Sequence, residues 1–391
     1  MSSTHDPSAG VVHEVRWAEA LPWWLLFRAA AAAFSPTVIV LAALGAVATA
    51  AGWRLLDQAG LSAGRPATVQ GDELRLPAAD AAPAAAVVPA SLTPSSLAVP
   101  WLGTLARQLP ASVGHVLGLL TLPFRPSSSL DEVAGAAARI GWFLLVWSIF
   151  GAGISRRVAL KLVGEDAPGL LGAIWFGTRM WVSAFNSVLF VLVGIAALAV
   201  PGALLGLLMR TEWGLAFAGA VWPLVLLGAL VLAILAIGVA AGWPLMVACV
   251  GVERGDSFQA ISTAFSYLYQ RPLHYAFHAL VALVVAIPAV VAAALFADAT
   301  ATLAMWAASL GMGHDRTATV LGGLAAGAGE GSPWGVQAIQ FWCRGLETLL
   351  ASFGWGYGWA IATASYLLLR QSVDGTELDE VVLDVPAGDA A

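Results

Sequence analysis

His274 and His278 stand four residues apart in "RPLHYAFHAL", a spacing that puts two imidazoles on one helix face, where they could hold a metal ion. No carboxylate stands within the same turn and no His-Glu-x-x-His motif is present, so the pair reads as interfacial anchors. His5, His13, His115 and His314 are scattered, with no cysteine or acid cluster beside them. Cys249 and Cys343 are the only cysteines, too few for a disulfide framework or a metal site, and they are expected to remain unpaired. The chain has no Gly-x-Ser-x-Gly, no phosphate loop and no dinucleotide fingerprint, so the residues call for no cofactor and no metal.

Proton- and ion-coupled pumps bury ionisable residues in their spans, but the centres of the apolar runs hold none. Asp298 and Glu347 fall at outer ends, and Asn186 with Ser187 lies close to an inner end, where the pair reads as glue between helices. Gly238 with Gly242 and Gly354 with Gly358 have the spacing of close helix crossings. Trp355 and Trp359, one turn apart, suit lipid contact or ligand stacking equally.

The elements that carry these residues follow from composition. Hydrophobic residues make up 59%, charged residues 11%, and the mean hydropathy is +0.82, which describes an all-α polytopic transmembrane bundle whose partner is the lipid bilayer. The net charge of -6 points to no nucleic-acid partner. Six stretches have spanning length: 34–53, 140–155, 184–208, 224–249, 275–297 and 346–369. Pro223 is expected to separate an entry segment from the fourth, and Arg139 to close the second early. Ser129-Leu130-Asp131-Glu132 has the pattern of a capping box, and Ser332-Pro333 that of a helix start.

Arg16, Arg28, Arg156, Arg157, Lys161, Arg179, Arg254, Arg271 and Arg370 gather on one side, which places both termini on the cytoplasmic side of the membrane. "AVATAAG" offers a signal-peptide cleavage site, but a leader with Glu14 and Glu19 and a full spanning length favour a retained anchor. The organisation is then a cytoplasmic N-terminal segment with an interfacial helix (1–33), a transmembrane domain (34–370) and an acidic cytoplasmic tail (371–391). Within the second, the alanine- and proline-rich outer loop 54–128 reads as a flexible arm. In loop 298–345, "ATLAMWAASLGMG" suits an interface.

Residues 253–275 interrupt two apolar runs with hydroxyls and aromatics. The segment reads as an amphipathic elbow helix capped by Asp256, with Phe258, Ile261, Phe265 and Leu268 as its apolar stripe and Arg271-Pro272 as its stop. Gln259, Ser262, Thr263, Ser266 and Gln270 form the other face, and the lack of lysine or arginine there predicts that it packs on polar groups of the same protein. Similar elbows are expected before the first span ("VRWAEALPWWLLFRAAAAAF") and before the third, where Asp166 would cap a stripe of Leu171, Ile174 and Trp175.

The run "GWPLMVACVGVERGDSFQAISTAFSYLYQRPLHYAF", with "RRVALKLVGED" and "VWPLVLL" upstream, resembles a group of uncharacterised polytopic membrane proteins of planctomycete bacteria. The likeness rests on Asp256-Ser257-Phe258, Tyr267 and Tyr269 to Tyr275, spans about 130–290, and implies no activity. More loosely, the layout resembles membrane domains that accompany glycerophosphodiesterases, without a phosphodiesterase metal motif. These readings favour a non-catalytic structural or accessory membrane component. The alternative is a permease or lipid-handling transporter with elbows around a central cavity. A membrane enzyme comes third, and would need an acid beside His274 and His278.

Overall fold

The computed structural model describes residues 21–61, 116, 119, 129–325, 327 and 332–376. Among the described residues there is no strand. The helices are α1 Trp24–Ala33, α2 Pro36–Gln58, α3 Leu130–Val163, α4 Leu170–Leu208, α5 Glu212–Glu253, α6 Ser257–Gln270, α7 Pro272–Met312, α8 His314–Ala325 and α9 Trp334–Asp374. Most of loop 54–128, the first twenty residues and most of the acidic tail lie outside the described residues.

Local chemistry sets several of these ends. Ser129 Oγ accepts from Glu132 N at 3.2 Å while Glu132 Oε2 accepts from Ser129 N at 2.9 Å, so the capping box that starts α3 is complete. Gly164 ends α3 at φ 98°, a left-handed conformation that glycine adopts without penalty. Thr211 Oγ1 accepts from Gly214 N at 3.1 Å and caps α5. Pro36 and Pro272 stand at the first positions of α2 and α7, each breaking the chain from the short helix before it.

Helices α3 and α9 are the interior of the bundle. Residues 143–162 of α3 and 352–369 of α9 are largely buried, enclosed by α1, α2, α4, α5, α6 and α7. Small residues let the backbones approach. A Cβ added at Gly177 of α4 would lie 2.1 Å from the Ile149 carbonyl oxygen of α3, and one at Gly153 would lie 2.5 Å from that of Ala173. Helix α7 packs through an alanine-rich face that includes Ala282, Ala289, Ala294, Ala297 and Ala301. Tyr275 O–H donates to the Ala241 carbonyl at 2.7 Å, and Tyr357 O–H to that of Ala282 at 2.5 Å.

The elements depart from the sequence reading in specific places. Pro223 does not divide the fourth span, because α5 runs unbroken for 42 residues through Pro223 and Pro244. The third span has no separate elbow: α4 is continuous from Leu170, its N-cap is Gly169 rather than Asp166, and Leu171 and Trp175 are 80% and 70% exposed. The helix of the second span does begin at the Ser129 box, ahead of Arg139, which lies inside α3 and pairs with Asp57 of α2. "ATLAMWAASLGMG" continues α7 as far as Met312. Pro333 caps α9 without occupying its first turn. Helix α1 is packed into the bundle, with Leu26, Ala29 and Ala33 fully buried.

Five helices, α2, α3, α4, α5 and α7, are long and apolar enough to cross a membrane. The sixth expected span lies in α9, which has the length, at 41 residues, but whose interior stretch is rich in glycine, serine, threonine, tyrosine and tryptophan.

Candidate functional site

At the α5–α6 end of the bundle, side-chain chemistry converges on Glu253, the last residue of α5. Its carboxylate accepts from the Tyr366 hydroxyl, from Arg370 Nε at 3.2 Å, and from Gln259 Nε2 at 2.8 Å. Tyr366, Arg370 and Asp374 recur every fourth residue along α9, which aligns them on one face. Asp374 in turn accepts from the hydroxyl of Tyr267 on α6, and the rings of Tyr267 and Tyr366 lie 5.5 Å apart. The network therefore fastens three elements together: the end of α5, the elbow α6 and the last turns of α9.

The chemistry of this cluster is that of a fastening. Burial first, and then the Asp374 carboxylate beside it, pushes the Tyr267 hydroxyl well above its ordinary value, so at neutral pH it is a proton donor and not a phenolate. The Glu253 and Asp374 carboxylates are acceptors already engaged by named donors. Among the described residues, no three His, Cys, Asp or Glu side chains are grouped so as to hold a metal ion.

Next to the network, the middle of the bundle is filled by aromatic rings. Trp147 stacks on Trp355 at 4.8 Å and on Trp359 at 6.0 Å; Trp243 meets Trp359 edge-on at 5.3 Å; Phe143 lies 5.4 Å from Trp243 and 5.5 Å from Trp355. Trp53 joins at 6.5 Å from Phe143 and donates its indole N–H to the Arg139 carbonyl at 3.1 Å. Glycines form the notches that receive these rings: a Cβ at Gly151 would lie 2.8 Å from Trp359, and one at Gly45 would lie 3.2 Å from Trp147. The indole N–H groups of Trp147, Trp243 and Trp359 and the hydroxyls of Ser148 and Ser155 have no hydrogen-bond partner among the described residues, and ring packing holds this column.

The elbow residues singled out in the sequence have definite places. Asp256 caps α6, its carboxylate accepting from Gln259 N at 2.8 Å, and Arg271 and Pro272 mark the junction with α7. The face turned to the bundle is Ala260, Ala264, Tyr267 and Leu268. Phe258 is 69% exposed and stacks on Phe190 of α4 at 5.3 Å, while Ile261 and Phe265 are half-buried. Phe265 fills the notch at Gly238, and Gly242 faces Ala264, so this glycine pair receives the elbow. The hydroxyl face is not docked as a whole: Gln259, Ser262 and Gln270 are exposed, and Thr263 and Ser266 are half-exposed.

His278 is buried and His274 exposed, and among the described residues no acid joins them in a metal-holding group. Trp359 is buried and Trp355 half-buried, both in the column rather than in contact with lipid. Cys249 and Cys343 are free thiols. The Glu253 network went unread in the sequence because its members are up to 121 positions apart, from Glu253 to Asp374. The polar stripe Tyr366, Arg370, Asp374 on an otherwise apolar helix was the available signal.

No family model matches the chain, and no curated protein and no solved structure matches it. The fold and its surface define the class without them. Large apolar side chains, among them Val193, Leu204, Phe217, Leu227, Ile287 and Phe296, are exposed along α4, α5 and α7, a surface that belongs in lipid. The chain is an all-α, multi-pass integral membrane protein.

Proposed function

We propose that this protein is a non-catalytic structural or accessory component of a bacterial inner membrane, with both termini in the cytoplasm. The observation that carries the reading is the aromatic column: the middle of the bundle is packed with rings seated in glycine notches, and the ionic groups Arg139–Asp57 and Arg370–Glu253 lie toward its two ends. A body of this kind holds position in the bilayer and presents its surface and its inner face to other molecules. The second reading, a permease or lipid-handling transporter, is favoured by the buried donors of Trp147, Trp243, Trp359, Ser148 and Ser155, which a passing polar group would engage.

A cysteine placed in the column separates the two. Ser148 is fully buried beside Trp147. In a Cys249→Ala, Cys343→Ala background, Ser148→Cys should resist a membrane-impermeant maleimide applied to either side of sealed vesicles. Labelling from one side would reveal a water path and replace the structural reading with the transporter.

A further inference from the structure

We infer that α6 is a hinged flap on the inner face of the bundle, held shut over the Cys249 end of α5 by two side-chain latches, Tyr267–Asp374 and Gln259–Glu253. The inference goes beyond the structural reading and does not depend on it.

Both ends of α6 are hinges. Arg254, between α5 and α6, has φ 57° and ψ 27°, and among the described residues it is the one non-glycine residue with positive φ. A left-handed arginine is disfavoured unless its surroundings hold it there, and Gly255 follows it directly. At the other end Arg271 leaves the helical region at φ -130°, ψ 54°, and Pro272 prevents α6 from propagating into α7. The fourteen residues between can therefore swing without unwinding either long neighbour.

The flap is seated on one side only. Its buried residues are Ser257, Ala260, Ala264, Tyr267 and Leu268, the Tyr269 hydroxyl donates to the Ile234 carbonyl of α5, and its outer face of Gln259, Ser262 and Gln270 is wet. A short element with one face in water opens locally at a fraction of the cost of global unfolding. To that seat the two latches each add a hydrogen bond with a carboxylate acceptor, the stronger kind. One of the two acceptors, Asp374, is the last residue of α9.

Cys249 reports on the flap. Its thiol is fully buried in the core that Ala260, Ala264 and Tyr267 of α6 help to close, so it reacts when α6 lifts. In a Cys343→Ala background, wild-type Cys249 should react slowly with N-ethylmaleimide, and Tyr267→Phe and Asp374→Asn should each raise its rate about tenfold or more, the factor set by one hydrogen bond to a charged group. The same substitutions in the Ser148→Cys background should leave residue 148 unreactive, which marks the opening as local. Wild-type Cys249 rates in both variants would overturn the latch, and simultaneous labelling of residue 148 would show general unfolding and overturn the flap. Labelling of residue 148 in the otherwise wild-type protein bears on the closed column instead, so failures of the two proposals are distinguishable.

Discussion

At Gly177 the α3–α4 crossing has no room for a single methyl group. A Cβ there meets the backbone oxygen of Ile149 at 2.1 Å, and backbone cannot rotate away as a side chain can. Gly177→Ala should therefore lower the thermal midpoint in detergent, by an overpacking cost of about 1–3 kcal/mol or more, while Gly202→Ala, with nothing within 4 Å, should not. Tyr267 yields a prediction of pH. Its folded pKa is raised above the ordinary tyrosine value of about 10, so its contribution to stability is whole below that value and lost as pH rises through the folded pKa. Tyr267→Phe should thus shift the thermal midpoint by a constant amount between about pH 6 and 9, with the difference shrinking only in stronger alkali. Residues whose partners are local were legible in the sequence: the Ser129–Glu132 box and the Asp256 cap act across three positions. Glu253 and Arg370 are 117 positions apart, and only the folded bundle brings them together.

Among the elements, two of the three expected elbows are separate helices, and the difference lies in one residue type. Ser35-Pro36 and Arg271-Pro272 interrupt the chain after α1 and α6, because the residue before proline is driven out of the helical region. The segment before the third span has Pro168 at its start and no breaker between Gly169 and Pro201, so helix propagates through it. Prolines 201, 223, 244 and 288 lie inside apolar helices without ending them; in lipid a helix that lets go of its backbone has no water to turn to. Periodicity found the amphipathic helix α6; of its expected stripe Leu268 is buried, Ile261 and Phe265 pack against the core and Phe258 is exposed, while Ala260, Ala264 and Tyr267 complete the inward face. Ala264→Asp should therefore reduce folded, monodisperse yield sharply by burying a carboxylate against Gly242, whereas Ser262→Asp on the wet face should behave as wild type in the same gel-filtration assay.

As a whole molecule, the protein is an interior pair, α3 and α9, jacketed by helices whose outer sides are apolar. Helices α4, α5 and α7 have 39, 42 and 41 residues. Each is about 60 Å long, twice the roughly 30 Å of a bilayer's hydrocarbon core, so each crosses at a tilt or carries its apolar surface beyond it. In the topology proposed above, the α4–α5 turn lies outside the cell and the elbow α6 with its latches inside. Thr211→Cys and Ser262→Cys, each in the Cys249→Ala, Cys343→Ala background, test that arrangement directly, because Thr211 and Ser262 are both exposed. With an impermeant maleimide on intact cells and on inverted vesicles, residue 211 should label only from outside and residue 262 only from inside. Labelling of both from the same side would contradict the account.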